Sequence, residues 1–326
     1  MRSATWRMSA EVRMNKRLLV LEHVSLSYKK PVAADISLEL SKGQVLAIAG
    51  ESGCGKTSLL HGILGFPDSG VSVTGGRILY DGKDMAKMDG KQRRKLYGGE
   101  ISMIFQNPGA AFNPIRSYRK QFAEMLKSHG RFEGEKSYQK IQDCFEKLHL
   151  PEGARILESC PYEMSGGMNQ RIAIAAAMLL RPRLLLADEP TSALDVTTQK
   201  TVVEELLKMK ELTGTAMILV THNLGIAAKM ADMTGIMYAG RLVEYGKTEA
   251  VLKNPAHPYT RSLISSIPVL GGKLPMSPEG QPSLFDAEQK GCAFYDRCMK
   301  KSERCLNRGY HLEQIAEDHL SSCMEA

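Results

Sequence analysis

The chain has 326 residues, 43% of them hydrophobic and 24% charged, with a formal net charge of +7. That balance fits a globular protein large enough for a sizeable core and two domains, and it excludes a disordered or fibrous chain. No stretch approaches the roughly 20 apolar residues that span a bilayer, and the basic residues are scattered among acids rather than blocked, so the charge does not select nucleic acid as a partner.

Within residues 1–17, the first fourteen carry Arg2, Arg7 and Arg13 without the apolar block of a secretory signal. They read as a tail, or as lying upstream of a true start at Met14. Leu18 to Tyr28 reads as an opening strand, and Ile36 to Leu40 alternates in strand fashion up to the Ser41-Lys42-Gly43 turn. Val45 to Ala49 is a short, wholly apolar run, as expected of a strand buried on both faces. From Asn107 the pattern turns helical and more polar. Phe122, Met125 and Leu126, then Ile141, Phe145 and Leu148, recur at helical spacing, which predicts an inserted helical subdomain over about 107–180. A helix from about Gln170, a buried strand at Leu184–Ala187, a helix over about 198–212 and a strand at Met217–Val220 follow. Strands alternating with helices predict a mostly parallel α/β sheet, within one domain over 18–268. Gly271, Gly272, Pro275, Pro278, Gly280 and Pro282 then mark a linker, so 269–326 reads as a small C-terminal region of its own.

The nucleotide chemistry is legible in four places. Gly50, Glu51, Ser52, Gly53, Cys54, Gly55, Lys56 and Thr57 stand between an apolar strand and a helix that continues through Ser58. Glycines there let backbone N–H groups encircle phosphate oxygens, and the helix presents its positive end to them. Lys56 supplies charge to the β/γ-phosphates of a nucleotide triphosphate, and the Thr57 hydroxyl can ligate Mg²⁺. Asp188 ends an apolar strand where ligands of α/β proteins gather, placing it to hold the same Mg²⁺. Glu189, one residue on, projects differently and is the candidate general base for an attacking water. Ser165 precedes Gly166 and Gly167 at the head of a helix, a plausible N-cap with exposed amides.

In chain order (the loop at 50–57, Ser165-Gly166-Gly167, Leu184 to Pro190, then His222), the motifs resemble those of the ATPase subunits of ATP-binding-cassette (ABC) machines, over about residues 18–268. The resemblance implies a P-loop ATPase with a mostly parallel core sheet, an antiparallel N-terminal β region, the inserted helical subdomain and a small cysteine-bearing C-terminal module. It also implies roles for residues that spacing alone leaves undecided. Gln106 corresponds to the glutamine that couples the Mg²⁺ site to the helical subdomain, His222 to the switch histidine at the γ-phosphate, and Tyr28 to the aromatic that stacks on adenine. Ser165-Gly166-Gly167 corresponds to the segment that meets the γ-phosphate bound to the opposite subunit. Met164 and Met168 replace the Leu and Gln of its usual form, so any Gln side-chain role at 168 is lost. Ser192-Ala193-Leu194-Asp195 matches the loop at the dimer seam. One motif set builds half of two composite sites, so a homologous ATPase partner is implied, in a heterodimer or a homodimer.

A narrower resemblance lies beyond. Lys253-Asn254-Pro255-Ala256-His257-Pro258-Tyr259-Thr260, then Leu263 and Ile267-Pro268, is similar to the hallmark that follows the ATPase domain in dipeptide and oligopeptide importers, much of it shared with nickel importers. Gly291 to Cys298 resembles the next block, and Gln106 to Pro114 agrees with the region contacting membrane subunits. The expected function is ATP-driven peptide import at the cytoplasmic face of the membrane. The partners would be two permease subunits and, indirectly, an extracytoplasmic binding protein, with no nucleic acid. Import of nickel or a metal chelate is the same-class alternative, and a soluble ABC ATPase of DNA repair or translation the different-class one.

Cys292, Cys298, Cys305 and Cys323 are separated by five, six and seventeen residues. Zinc sites favour Cys pairs two to four residues apart, which are absent. Four loosely spaced thiolates suit a [4Fe–4S] cluster, as several peptide-importer ATPases carry, with zinc or metal-free thiols as the alternatives.

Overall fold

The computed structural model describes residues 17–66, 69–267, 281, 283–307 and 309–323. Residues 1–16, Met14 among them, therefore lie outside the described residues, as do Pro268 and most of the expected linker (268–280 and 282). The chain forms two compact units, 1–87 together with 220–326, and 88–219. In chain order the strands of the first unit are β1 (Arg17–Ser27), β2 (Pro31–Ser41), β3 (Val45–Ala49), β4 (Ser72–Tyr80) and β5 (Lys83–Asp84). The second unit supplies β6 (Ile101–Ile104) and β7 (Leu184–Asp188), and β8 (Ala216–Thr221) leads the chain back. The first unit is completed by β9 (Met233–Tyr238), β10 (Arg241–Lys247), β11 (Glu313–Ala316) and β12 (His319–Ser321).

Within the first unit, β2-β1-β4-β5 is an antiparallel sheet. Its inner face comes from the alternation read in the sequence: Leu19, Leu21, Val24 and Leu26 on β1 and Ile36, Leu38 and Leu40 on β2 are all buried. β2 starts five residues earlier than its apolar alternation suggests, at Pro31, because Ser27 pairs with Pro31 across the turn. β3 is buried along its whole length and runs parallel to β9, with Leu46 opposite Met233 and Ala49 opposite Ile236. β10 folds back antiparallel on β9, β12 adds antiparallel to β10, and β11 to β12.

The cysteine-bearing segment therefore joins the first unit through a sheet edge. It also contributes to its core. Phe294 is 3% exposed and meets Tyr238 (ring centroids 5.3 Å) and Tyr259 (5.4 Å), with Cys292 and Cys298 packed against the same cluster. A buried polar network adds a second tie. Glu244, on β10 and wholly buried, accepts the backbone N–H groups of Ala256 (2.8 Å) and His257 (2.9 Å) and lies 2.7 Å from His319 Nε2 on β12. A carboxylate withdrawn from water needs such partners, and this one has three.

The second unit pairs β6 and β7 in parallel, Ile101 opposite Leu184 through Ile104 opposite Ala187. Helices Tyr118–Ser128, Glu135–Lys147, Gly153–Glu158 and Gly166–Leu179 form the expected helical region, and Phe122, Leu126, Ile141, Phe145 and Leu148 are among its buried residues. Helix Gly166–Leu179 starts at the Ser165 cap read from the sequence, four residues before the start at about Gln170 suggested by its apolar pattern, with the Ser165 hydroxyl accepting the Met168 N–H at 3.3 Å. Helix Val196–Thr213 likewise starts early, capped by Asp195, which accepts from Thr198 N (3.0 Å) and Thr198 Oγ1 (2.6 Å).

Candidate functional site

Residues 50–57 turn the chain from β3 into helix Lys56–Leu64. The turn needs glycine at two positions for different reasons. A Cβ on Gly50 (φ +155) would lie 2.2 Å from the carbonyl oxygen of Met237, so the loop leaves β3 pressed against the β9 backbone. Gly55 sits at the helix N-cap with φ +101, a conformation costly for any other residue. The Lys56 side chain is 6% exposed and folds across the loop, Nζ donating to the carbonyls of Gly50 and Glu51, each at 2.8 Å. Glu51 is held at both ends. Its N–H donates to Tyr259 Oη at 2.8 Å, and its carboxylate pairs bidentately with Arg297. Ser52 and Gly53 are exposed at the crest, Thr57 half-buried, and Cys54 and Ser58 buried beneath; burial pushes the Cys54 thiol up in pKa. Tyr28, just past the end of β1, is 44% exposed, with its hydroxyl 3.5 Å from Ser58 Oγ. It is thus a surface aromatic beside the loop rather than a core tyrosine.

In the second unit, Asp188 is the last residue of β7 and is buried. Glu189 follows in a left-handed conformation (φ +46), which turns its side chain out of the strand pleat. Such geometry is uncommon for a residue with a side chain and is found at functional sites. Its half-buried carboxylate accepts a hydrogen bond from Gln106 Nε2 at 3.4 Å, so the structure joins these two predicted residues. Gln170, which sequence reasoning passed over, is wholly buried in helix Gly166–Leu179. Its amide spans two motifs, donating to the Glu189 carbonyl (3.2 Å) and accepting the Ala193 N–H (3.2 Å). The only signal for it was one polar side chain entering an apolar helical stretch. Ser165 and Gly166 are exposed at the head of that helix, Gly167 is half-buried, and Asp195 heads the next helix, its pKa lowered by the two Thr198 hydrogen bonds. His222 is exposed between β8 and helix Leu224–Met230, whose cap is Asn223.

The four tail cysteines line one cavity of about 50 Å³, together with His257, Phe294 and Tyr310. Burial raises the Cys292 thiol to a pKa of about 11, and the three other thiols add to the shift, a sign of their proximity. Among the described residues, however, no three His, Cys, Asp or Glu side chains are gathered to hold one metal ion. The expected [4Fe–4S] cluster thus gains only a shared cavity of sulfur donors, and single-ion zinc binding has no gathered site. No helix of the described residues is long and apolar enough to cross a membrane.

Comparison with known proteins agrees with this architecture. Residues 33–192 match the family described as ABC transporter, and residues 243–305 match the oligopeptide/dipeptide transporter C-terminal region. The chain is 38% identical to the dipeptide transport ATP-binding protein DppD of Bacillus subtilis over 293 residues, 88% of this chain and 87% of that protein. It is 36% identical to the oligopeptide transport ATP-binding protein OppD of Haemophilus influenzae over 296 residues, covering 88% and 91%. Among solved structures, the ATP-binding cassette MJ0796, a dimer bound to ADP and Pi, superposes with a TM-score of 0.64 at 25% identity, over 71% of this chain and 99% of that one.

Proposed function

Because the chain belongs to the ABC transporter ATPases and carries the oligopeptide/dipeptide C-terminal region, we propose that it is the ATP-hydrolysing subunit of a di- or oligopeptide importer. One observation ties the subfamily segment to the proposed ATP site. Tyr259, in the subfamily hallmark, accepts the N–H of Glu51 inside the phosphate loop, so the hallmark is part of the nucleotide-binding structure itself.

In this reading Gly50 to Ser58 hold the triphosphate, Lys56 leaving its loop carbonyls for the β/γ-phosphates. Thr57, Asp188 and Gln106 serve Mg²⁺, and Tyr28 stacks on adenine. Glu189 orients and deprotonates the attacking water, and His222 contacts the γ-phosphate. Ser165, Gly166, Gly167 and Asp195 face the nucleotide of a homologous partner ATPase. ATP binds the closed dimer more tightly than the open one, and that differential affinity does the mechanical work. Two permease subunits at the cytoplasmic face of the membrane receive it. The domain boundaries at 18, 107–180 and 268 follow from the same family pattern.

Cys292, Cys298, Cys305 and Cys323 would be the ligands of the iron–sulfur cluster that their sequence spacing suggests; they line one cavity, although the described residues gather no three such side chains around one metal position. Such a cluster, when bound, would cross-link a segment too short for a core of its own.

The test is reconstitution with permeases and a binding protein in vesicles. ATP-dependent accumulation of a labelled peptide, lost in Glu189→Gln, supports the reading. Accumulation of nickel chelates and not of peptides would replace the substrate class.

A further inference from the structure

Arg297 stands between two cysteines of the C-terminal cavity and reaches into the phosphate loop. Its Nη1 and Nη2 lie 2.8 and 2.9 Å from the two carboxylate oxygens of Glu51, a fork-to-fork pair with the arginine side chain 6% exposed and the glutamate 23%. Nη1 also donates to Tyr238 Oη at 3.3 Å, and the guanidinium carbon lies 5.7 Å from both the Tyr238 and Phe294 ring centres. The turn that presents Arg297 is fixed by its neighbours in the cavity. Tyr295 N donates to the Cys292 carbonyl (3.0 Å), Arg297 N to that of Phe294 (3.1 Å) and Cys298 N to that of Tyr295 (3.1 Å). Cys292 N is in turn anchored on the carbonyl of Cys305 at 2.8 Å.

We propose that Arg297 is a positioning residue for the phosphate loop, and that the four-cysteine segment thereby sets the affinity of the enzyme for ATP. A loop of this kind binds phosphate with backbone amides, and those amides must converge before ligand arrives or binding bears the entropy of ordering them. Glu51 is the second residue of the loop, and it is the one anchored by both its amide and its side chain. The anchor on its side chain comes from a part of the sequence that no nucleotide motif includes. A bidentate guanidinium–carboxylate pair, shielded from water, fixes direction as well as distance, which a lysine cannot do. The cysteines at either end of the Arg297 turn make its position depend on the packing of the cavity.

The inference rests on reading residues 50–57 as the ATP phosphate loop. The experiment measures nucleotide dissociation constants and steady-state KM and kcat for ATP on the full chain. Arg297→Gln should raise Kd and KM about tenfold, the size of a lost charge-assisted pair, with kcat within about twofold. Arg297→Lys should recover only part of the affinity. Glu51→Gln should match Arg297→Gln, and the double variant should be no worse than either single one. Cys298→Ala should weaken ATP binding in the wild-type background and have no added effect on Arg297→Gln. Unchanged Kd in Arg297→Gln, or additive losses in the double variant, would overturn the proposal, as would a fall in thermal stability without a KM change. A wild-type chain that fails to bind ATP would overturn the phosphate-loop reading itself, a distinct result.

Discussion

Gln106 Nε2 donates to Glu189 Oε2 across 3.4 Å, linking the segment just after β6 to the residue just after β7. The contact puts the side chain expected to sense the membrane subunits directly on the carboxylate expected to activate water. A glutamine that moves with the helical region can withdraw from or support that carboxylate without any change in the strands.

Glu189→Gln should leave ATP binding within about twofold of wild type and lower steady-state hydrolysis by at least about 10²-fold, the usual contribution of a general base. Nucleotide binding by fluorescence and phosphate release would be measured side by side. Full turnover in the variant would remove Glu189 from the role. Gln106→Ala should lower kcat less than Glu189→Gln does, since it deletes a hydrogen bond to the carboxylate rather than the carboxylate.

Much of this site was readable from the chain because phosphate binding uses local, spaced elements. An apolar strand, a glycine turn and a helix lie within one consecutive stretch, Val45 to Leu64, and the capping serine and aspartate at 165 and 195 sit just before their helices. The contacts that steady those elements were not readable. Glu51 and Arg297 are 246 residues apart, and neither residue type announces a partner at such distance. Gln170 was hidden for a different reason, since a single amide in an apolar helix looks like a substitution tolerated at a surface. The tail strands escaped because Glu313–Ala316 is exposed along its length and lacks the alternation that marks a half-buried strand.

His257 should make stability depend on pH. It is 1% exposed, its Nδ1 accepts the Tyr259 N–H at 3.1 Å, and burial, aided by the nearby Arg261 charge, lowers its pKa to about 3. In the unfolded chain a histidine titrates near 6.5. Between those two values the unfolded state binds the extra proton, so stability is complete above pH ~6.5 and falls as pH drops toward 3, by about 1.4 kcal/mol per unit. Denaturant unfolding at pH 6.5 and 4.5 should differ by about 2–3 kcal/mol more in wild type than in His257→Asn, which keeps a capping side chain without the titration. Equal pH slopes in the two proteins would contradict this.

Anaerobic purification should yield brown protein carrying about four irons per chain if the cavity thiols hold a cubane. Replacing any one of Cys292, Cys298, Cys305 and Cys323 by serine should lower the iron content and leave the Glu244–His319 tie in place. Colourless protein containing zinc would assign the thiols to a different metal, and colourless protein without metal would leave them as packing residues.

Gln170 gives the sharpest separation of structure from chemistry. Its side chain satisfies one carbonyl at Glu189 and one amide at Ala193, so it steadies both the backbone of the proposed general base and the loop leading to Asp195. Gln170→Met keeps the volume and removes both bonds from part-buried backbone groups, at a cost of about 0.5–1.5 kcal/mol each. If that were all, only the melting temperature would fall. Because Glu189 already sits at φ +46, loss of one of the three bonds to its carbonyl, which Ser192 N and Oγ also reach at 3.1 Å each, loosens a backbone held in a sparsely populated conformation. The carboxylate should then lose its aim, and kcat should drop by about tenfold or more while the ATP Kd stays within about twofold, since the phosphate loop lies elsewhere in the sequence. Measuring kcat, Kd and thermal stability on the same variant decides between the two: a stability loss with unchanged kcat would make Gln170 a packing residue, and a kcat loss at constant Kd would make it the residue that holds the catalytic turn.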